Sequence, residues 1–120
     1  MSIIKYSTGP VENAVNTFTL PGISRTFFVK ALNNGERSAR VQIRLFRLNG
    51  TKVLRDTRTF TLAPGTSTFR VLNVSQLLQF EVQIKTDSDK VLLSGWGKNA
   101  SGILVAAHRF AHEELVKQVR

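Results

Sequence analysis

Between Ser38 and Leu48 the chain reads SARVQIRLFRL, with Ala39, Val41, Ile43 and Leu45 alternating strictly with Arg40, Gln42, Arg44 and Phe46. A period of two does not fit a helix. It places the aliphatic set on one side of a pleated strand and the arginines, glutamine and phenylalanine on the other. Such a strand must sit in an antiparallel sheet with one face covered. Asn49-Gly50 follows at once and suits a type I′ turn, in which both central residues take positive φ, so a hairpin is expected. Its return strand reads as two pieces, Thr51 to Arg55 and Arg58 to Leu62, broken around Asp56-Thr57.

The other apolar stretches repeat this short, turn-bounded form. Asn16 to Leu20, Arg25 to Leu32, Ser67 to Val74, Gln79 to Thr86, Val91 to Lys98 and Ile103 to Phe110 read as strands. Ala63-Pro64-Gly65-Thr66 has the residues of a type II turn, with proline presetting φ and glycine supplying the positive φ. Within Gln79 to Thr86, Phe80, Val82 and Ile84 should face inward and Glu81, Gln83 and Lys85 outward. The tail Ala111 to Arg120 fits either a short helix or a last edge strand. Residues 1–15 read as an arm rather than a core strand, because Ser7-Thr8-Gly9-Pro10 interrupts any regular element; the arm could lie on its own domain as an edge strand or pair with the sheet edge of a neighbouring subunit. The expectation is an all-β chain: one antiparallel β-sandwich of about eight strands over 16–120, preceded by the arm.

A chain of 120 residues buries one core. With no cysteine, that core must hold by packing alone. The start carries no apolar run long enough for a signal peptide, and no segment approaches a membrane span. The chain is therefore expected to be made in the cytoplasm, with any deposition on a cell or spore surface following a non-classical route. The net charge of +9 is unevenly spread. Ten lysines and arginines fall between Arg25 and Arg70, against Glu36 and Asp56 alone. Such a field either keeps the protein soluble or attracts a polyanion or an acidic partner surface.

From Phe28 to Ile84 an apolar strand ends in Asn-Asn-Gly, an alternating strand and an Asn-Gly hairpin follow, and a strand then runs into Leu-Ala-Pro-Gly-Thr ahead of FEVQI. This rhythm resembles the Ig-like β-sandwich modules of bacterial surface proteins called cell-adhesion-related domains. More loosely, the chain is similar to the small β-sandwich subunits of spore-surface fibres and coats. The resemblance implies an Ig-like or jelly-roll-like sandwich and carries no functional residues across, since glycines and prolines at hairpins mark turns. Those fibre subunits cross-link through cysteines in their arms, and this chain has none.

No constellation points to catalysis, so the chain is read as non-enzymatic, with no cofactor and no metal. His108 and His112 lie four apart ahead of Glu113 and Glu114, but His108 falls in a strand and no third ligand is identifiable. Trp96 between Gly95 and Gly97 is either core or a stacking platform. Arg40, Gln42, Arg44 and Phe46, extended by Arg47, Arg55 and Arg58, form the candidate basic interaction face. The leading expectation is a structural protein that self-assembles through the arm residues Ile3, Ile4 and Tyr6 and through sheet edges, giving a homo-oligomer, fibre or coat layer. In that reading, removing residues 2–10 leaves a folded monomer. The alternative is a module that binds nucleic acid or an anionic glycan.

Overall fold

The computed structural model describes residues 3–13 and 23–119, and the expected strand Asn16 to Leu20 lies outside them. Among the described residues ten strands form: β1 (Ile4–Ser7), β2 (Val11–Glu12), β3 (Thr26–Asn33), β4 (Ala39–Arg47), β5 (Val53–Leu62), β6 (Ser67–Asn73), β7 (Gln79–Thr86), β8 (Val91–Lys98), β9 (Leu104–Phe110) and β10 (Val116–Val119). They build two antiparallel sheets packed as a sandwich. The larger has the order β10-β1-β7-β4-β5, with β2 also paired to β7, and the smaller the order β6-β3-β8-β9. Among the described residues no helix is long and apolar enough to cross a membrane.

The alternating strand β4 is an interior strand of the larger sheet, between β7 and the edge strand β5. Ala39, Val41, Ile43 and Leu45 are at most 1% exposed, and they pack with Phe80, Val82 and Ile84 of the neighbouring β7. The smaller sheet supplies Phe27, Val29, Leu72, Val91 and Leu93 from the other side. Burying side chains of this size contributes about 1.5–3 kcal/mol each.

Four local readings differ from the structure. The segment read as an arm is an interior strand: β1 lies between β7 and β10, and Ile4 and Tyr6 belong to the core. Ser7 to Pro10 ends the regular ladder without releasing the chain. Thr8 N–H donates to the Val82 carbonyl and Val82 N–H to Thr8 Oγ1, both at 3.1 Å, and Val11 then resumes pairing opposite Phe80. The Asn49-Gly50 hairpin forms, but not through a type I′ turn. Gly50 alone has positive φ (87°), Gly50 N–H donates back to Leu48 at 2.6 Å, and Asn49 Oδ1 accepts from Gln79 N–H.

The expected break at Asp56-Thr57 is instead a β-bulge one residue earlier. Leu45 faces Asp56 and Phe46 faces Leu54, which leaves Arg55 as the extra residue in one continuous strand. The tail resolves into both of its alternatives, one turn of 3-10 helix at His112–Glu114 followed by the edge strand β10. The Ala63 to Thr66 turn forms as expected, with Gly65 at φ 70° and Thr66 N–H donating to Ala63 at 3.2 Å.

Candidate functional site: a composite basic face and two free edges

Paired residues on neighbouring strands share a face, so register decides which cations meet. Arg40, Gln42, Arg44 and Phe46 alternate with the buried set of β4 and lie together on the outer face of the larger sheet. Arg47 and Arg58 do not join them. Arg58 sits opposite Ile43 and Arg47 opposite Phe80, both core positions, so these two arginines fall on the core-facing side. Arg58 is also taken up by Asp56, whose carboxylate oxygens accept from its Nε at 3.1 and 3.3 Å. Arg55 is the bulge residue.

The face is completed by cations distant in sequence. Lys5 of β1 stands directly opposite Lys85 of β7, and Lys85 in turn opposite Gln42. The Lys52 ammonium lies 4.4 Å above the Phe46 ring and 2.8 Å from Glu81 Oε1. Two adjoining grooves of ≈ 490 and ≈ 340 Å³ run along this surface and share Ile3 and Lys85 in their walls. Lys85 was legible from the alternation of β7. Lys5 is not legible in that way, because Ser7-Thr8-Gly9-Pro10 breaks the pattern just after it.

Glu81 anchors one end of the face. Burial pushes its carboxyl up, but hydrogen bonds from Lys52, Ser7 and Gln83, with the charge of Lys52, outweigh that and hold it below its ordinary value. Ser7 Oγ donates to it at 2.6 Å. The Tyr6 phenol, beneath the same sheet, is pushed above its ordinary value by burial and by the charge of Asp89.

The smaller sheet carries an aromatic outer face. Trp96 stacks on Phe28 with centroids 5.6 Å apart and planes 4° from parallel, Phe69 lies 6.0 Å from Phe28, and Lys98 covers Phe28 at 4.5 Å. Trp96 therefore has one ring face against Phe28, and it also lines a groove of ≈ 560 Å³ with Lys98 and Arg109. The glycines on either side of it serve the opposite face of the strand. A Cβ at Gly95 would stand 2.8 Å from the Phe27 ring, and one at Gly97 would collide with the Ser24 side chain.

The two histidines are held by structural hydrogen bonds. His108 Nε2 lies 2.8 Å from the Glu12 carbonyl, which can only accept, so Nε2 carries the proton in the neutral ring and Nδ1 accepts from Ser24 Oγ at 2.6 Å. Asn13 extends the cluster, donating to the Ser24 and Leu77 carbonyls at 3.0 Å and accepting from Ser24 N–H at 2.8 Å. His112 Nδ1 accepts from Leu93 N–H at 3.0 Å. Among the described residues no three His, Cys, Asp or Glu side chains gather as a metal site would require.

Among the described residues, two edges of the larger sheet carry no further strand. Among the described strands β5 pairs with β4 alone, and it is exposed along most of its ten residues. β10, among the same described strands, pairs with β1 alone, and Val116 and Val119 are 60% and 61% exposed.

No family model matches the chain, and no curated protein matches it. Solved structures do. The fold is similar to that of Thermotoga maritima 1070, with a TM-score of 0.54 and 12% identity over 96% of this chain and 90% of that one. It is also similar to the Anabaena sensory rhodopsin transducer, with a TM-score of 0.51 and 14% identity over 76% of this chain and 92% of that one. At such identities the likeness establishes a shared fold and nothing about activity.

Proposed function

We propose that this chain is a non-enzymatic structural subunit that self-assembles through the edges of its larger sheet into a fibre or coat layer. One observation carries the reading: β5 offers a ten-residue edge that no other described strand pairs, exposed along most of its length and containing no proline. Such an edge is a template for another strand. The second free edge, β10, lies on the opposite side of the same sheet. Pairing β5 of one copy with β10 of the next is heterologous, so it propagates as an open filament rather than closing as a dimer. The first strand, with Ile4 and Tyr6, already pairs within its own chain and would enter assembly by exchange between copies, keeping the same ladder.

The test is the solution mass and particle shape of the full chain at low and high salt, by light scattering and negative-stain imaging. The expected result is filaments or large particles that persist in high salt, where strand pairing and apolar burial are little screened. The variant T57K/T59K adds two charges to the exposed edge of β5 and should return the protein to a monomer. A wild-type chain that is monomeric at every salt concentration overturns the reading.

A further inference from the structure

We propose that the outer face of the smaller sheet is a binding site for single-stranded nucleic acid, separate from the assembly edges. Alternation along β3 puts Phe28 and Lys30 on that face while Phe27, Val29 and Ala31 are buried beneath it. Pairing then carries the face across the neighbouring strands. Trp96 stands opposite Phe28, Arg109 opposite Trp96, Phe69 opposite Lys30, and Lys98 opposite Thr26. The three rings form a ladder over three adjacent strands, with Phe28 of β3 between Trp96 of β8 at 5.6 Å and Phe69 of β6 at 6.0 Å. Its two ends are open: Phe69 is 54% exposed, and Trp96 fronts the groove of ≈ 560 Å³. That groove lies where the register of β9 jumps from Arg109 to Val105, and Leu104 and Arg109 line it with Trp96. A base entering it would stack on the ring face of Trp96 that Phe28 leaves open.

Charge on this face is of one sign. β3, β6, β8 and β9 contain no Asp or Glu, and among the described residues Lys30, Lys98 and Arg109 form no ion pair. Each of the three occupies a different cross-strand row: Arg109 that of Phe28 and Trp96, Lys30 that of Phe69, and Lys98 the row beyond Phe28. Successive rows lie roughly 7 Å apart along the strands. One cation in each row, with rings between, suits an extended chain that repeats an anion and a flat base, not a single ion.

The same chemistry disfavours other occupants. Single strands are held by aromatic faces on which bases stack and by cations that track the backbone, whereas a duplex keeps its base faces stacked within itself. A glycan is oriented by carboxylate and amide groups that meet its hydroxyls. The rows hold one such group, Asn73, and its Oδ1 already accepts from Ser75 N–H and Oγ at 3.0 and 2.6 Å. A second copy seated face to face would bring the same three cations against each other.

Trp96 is the one tryptophan of the chain, so its fluorescence reports on the site directly. The full-length protein is titrated with a thymidine oligonucleotide of about ten residues, an abasic strand of the same length, and polygalacturonate. The oligonucleotide should quench Trp96 and bind about tenfold or more tighter than the abasic strand of equal charge, with affinity falling as salt rises. Polygalacturonate should leave the fluorescence unchanged. F69A removes an exposed ring, so it should melt with wild type and lose about fivefold or more in affinity for the oligonucleotide. K30E/R109E should lose about tenfold or more, while R37E/R40E, the same charge change outside the smaller sheet, should stay within about twofold. Absence of binding, equal quenching by the abasic strand or the glycan, an unchanged affinity in F69A, or equal loss in the two double variants would each overturn the proposal. None of these contacts lies on β5 or β10 and particle mass is read separately, so failure here leaves the assembly reading untouched, and the reverse also holds.

Discussion

Gly97 owes its identity to what lies against it. A Cβ there would collide with the Ser24 side chain and stand 3.1 Å from the His108 Cβ, inside a cluster whose hydrogen bonds join β2, the entry to β3, and β9. G97A should therefore destabilise the fold by about 1–3 kcal/mol, the usual cost of overpacking, read as a lower midpoint in urea. Gly50 is the control. Its Cβ would meet nothing within 4 Å, so the cost of a side chain there comes from its φ of 87° alone. Glu81 gives a second residue-scale expectation. Its folded-state carboxyl titrates below the ordinary value of 4.5, so the ionised form contributes stability above that pH, and the contribution is lost as pH falls through the folded-state value. E81Q should be less stable than wild type at neutral pH, and the two thermal melting curves should converge as pH drops below the carboxylate range.

At the scale of elements, β1 is the strand whose role changed most between pattern and structure. Ile4, Lys5, Tyr6 and Ser7 carry the alternation of a strand, but four residues before Thr8-Gly9-Pro10 are too few to announce one. What makes them a strand is the free edge of β7 and the later arrival of β10 on their other side. Removing residues 2–10 would uncover Ile84 and Val82 and leave β10 without a partner. The truncated chain should melt well below the full one by circular dichroism; an unchanged melting temperature would show that β1 is dispensable for folding. The same truncation is therefore a poor probe of assembly, and T57K/T59K on β5 is the better one. β9 manages its own edge differently. Between its pairings with Trp96 and Gly97 the register jumps from Arg109 to Val105, and the intervening stretch turns His108 inward to Ser24. A bulge of this kind bends an edge away from strand addition. β5 has a single-residue bulge at Arg55 and is otherwise regular from Asp56 to Leu62.

For the whole molecule, a net charge of +9 sets two salt dependences of opposite sign. Copies of a strongly basic protein repel one another, so edge-to-edge assembly should grow as salt screens that repulsion. Binding of a polyanion releases counterions and should weaken over the same range. Light scattering and calorimetry on one sample across a salt series would show the two curves crossing. Parallel curves would mean that one process drives the other.

The two faces of β4 and β7, and the Ala63 to Thr66 turn, could be read from residues alone because each depends on local pattern: a period of two, or a proline and glycine at fixed positions. The same patterns established an all-β sandwich. Which cations share a surface could not be read that way. Arg40, Arg44, Arg47, Arg55 and Arg58 are neighbours in sequence, yet the bulge at Arg55 and the core-facing positions of Arg47 and Arg58 divide them. Lys5 and Lys85 are eighty residues apart and meet only because β1 pairs with β7. Side-chain direction within a strand follows from backbone pleating and is written locally. The identity and register of neighbouring strands follow from burying one shared core, and that is settled only when the whole chain has folded.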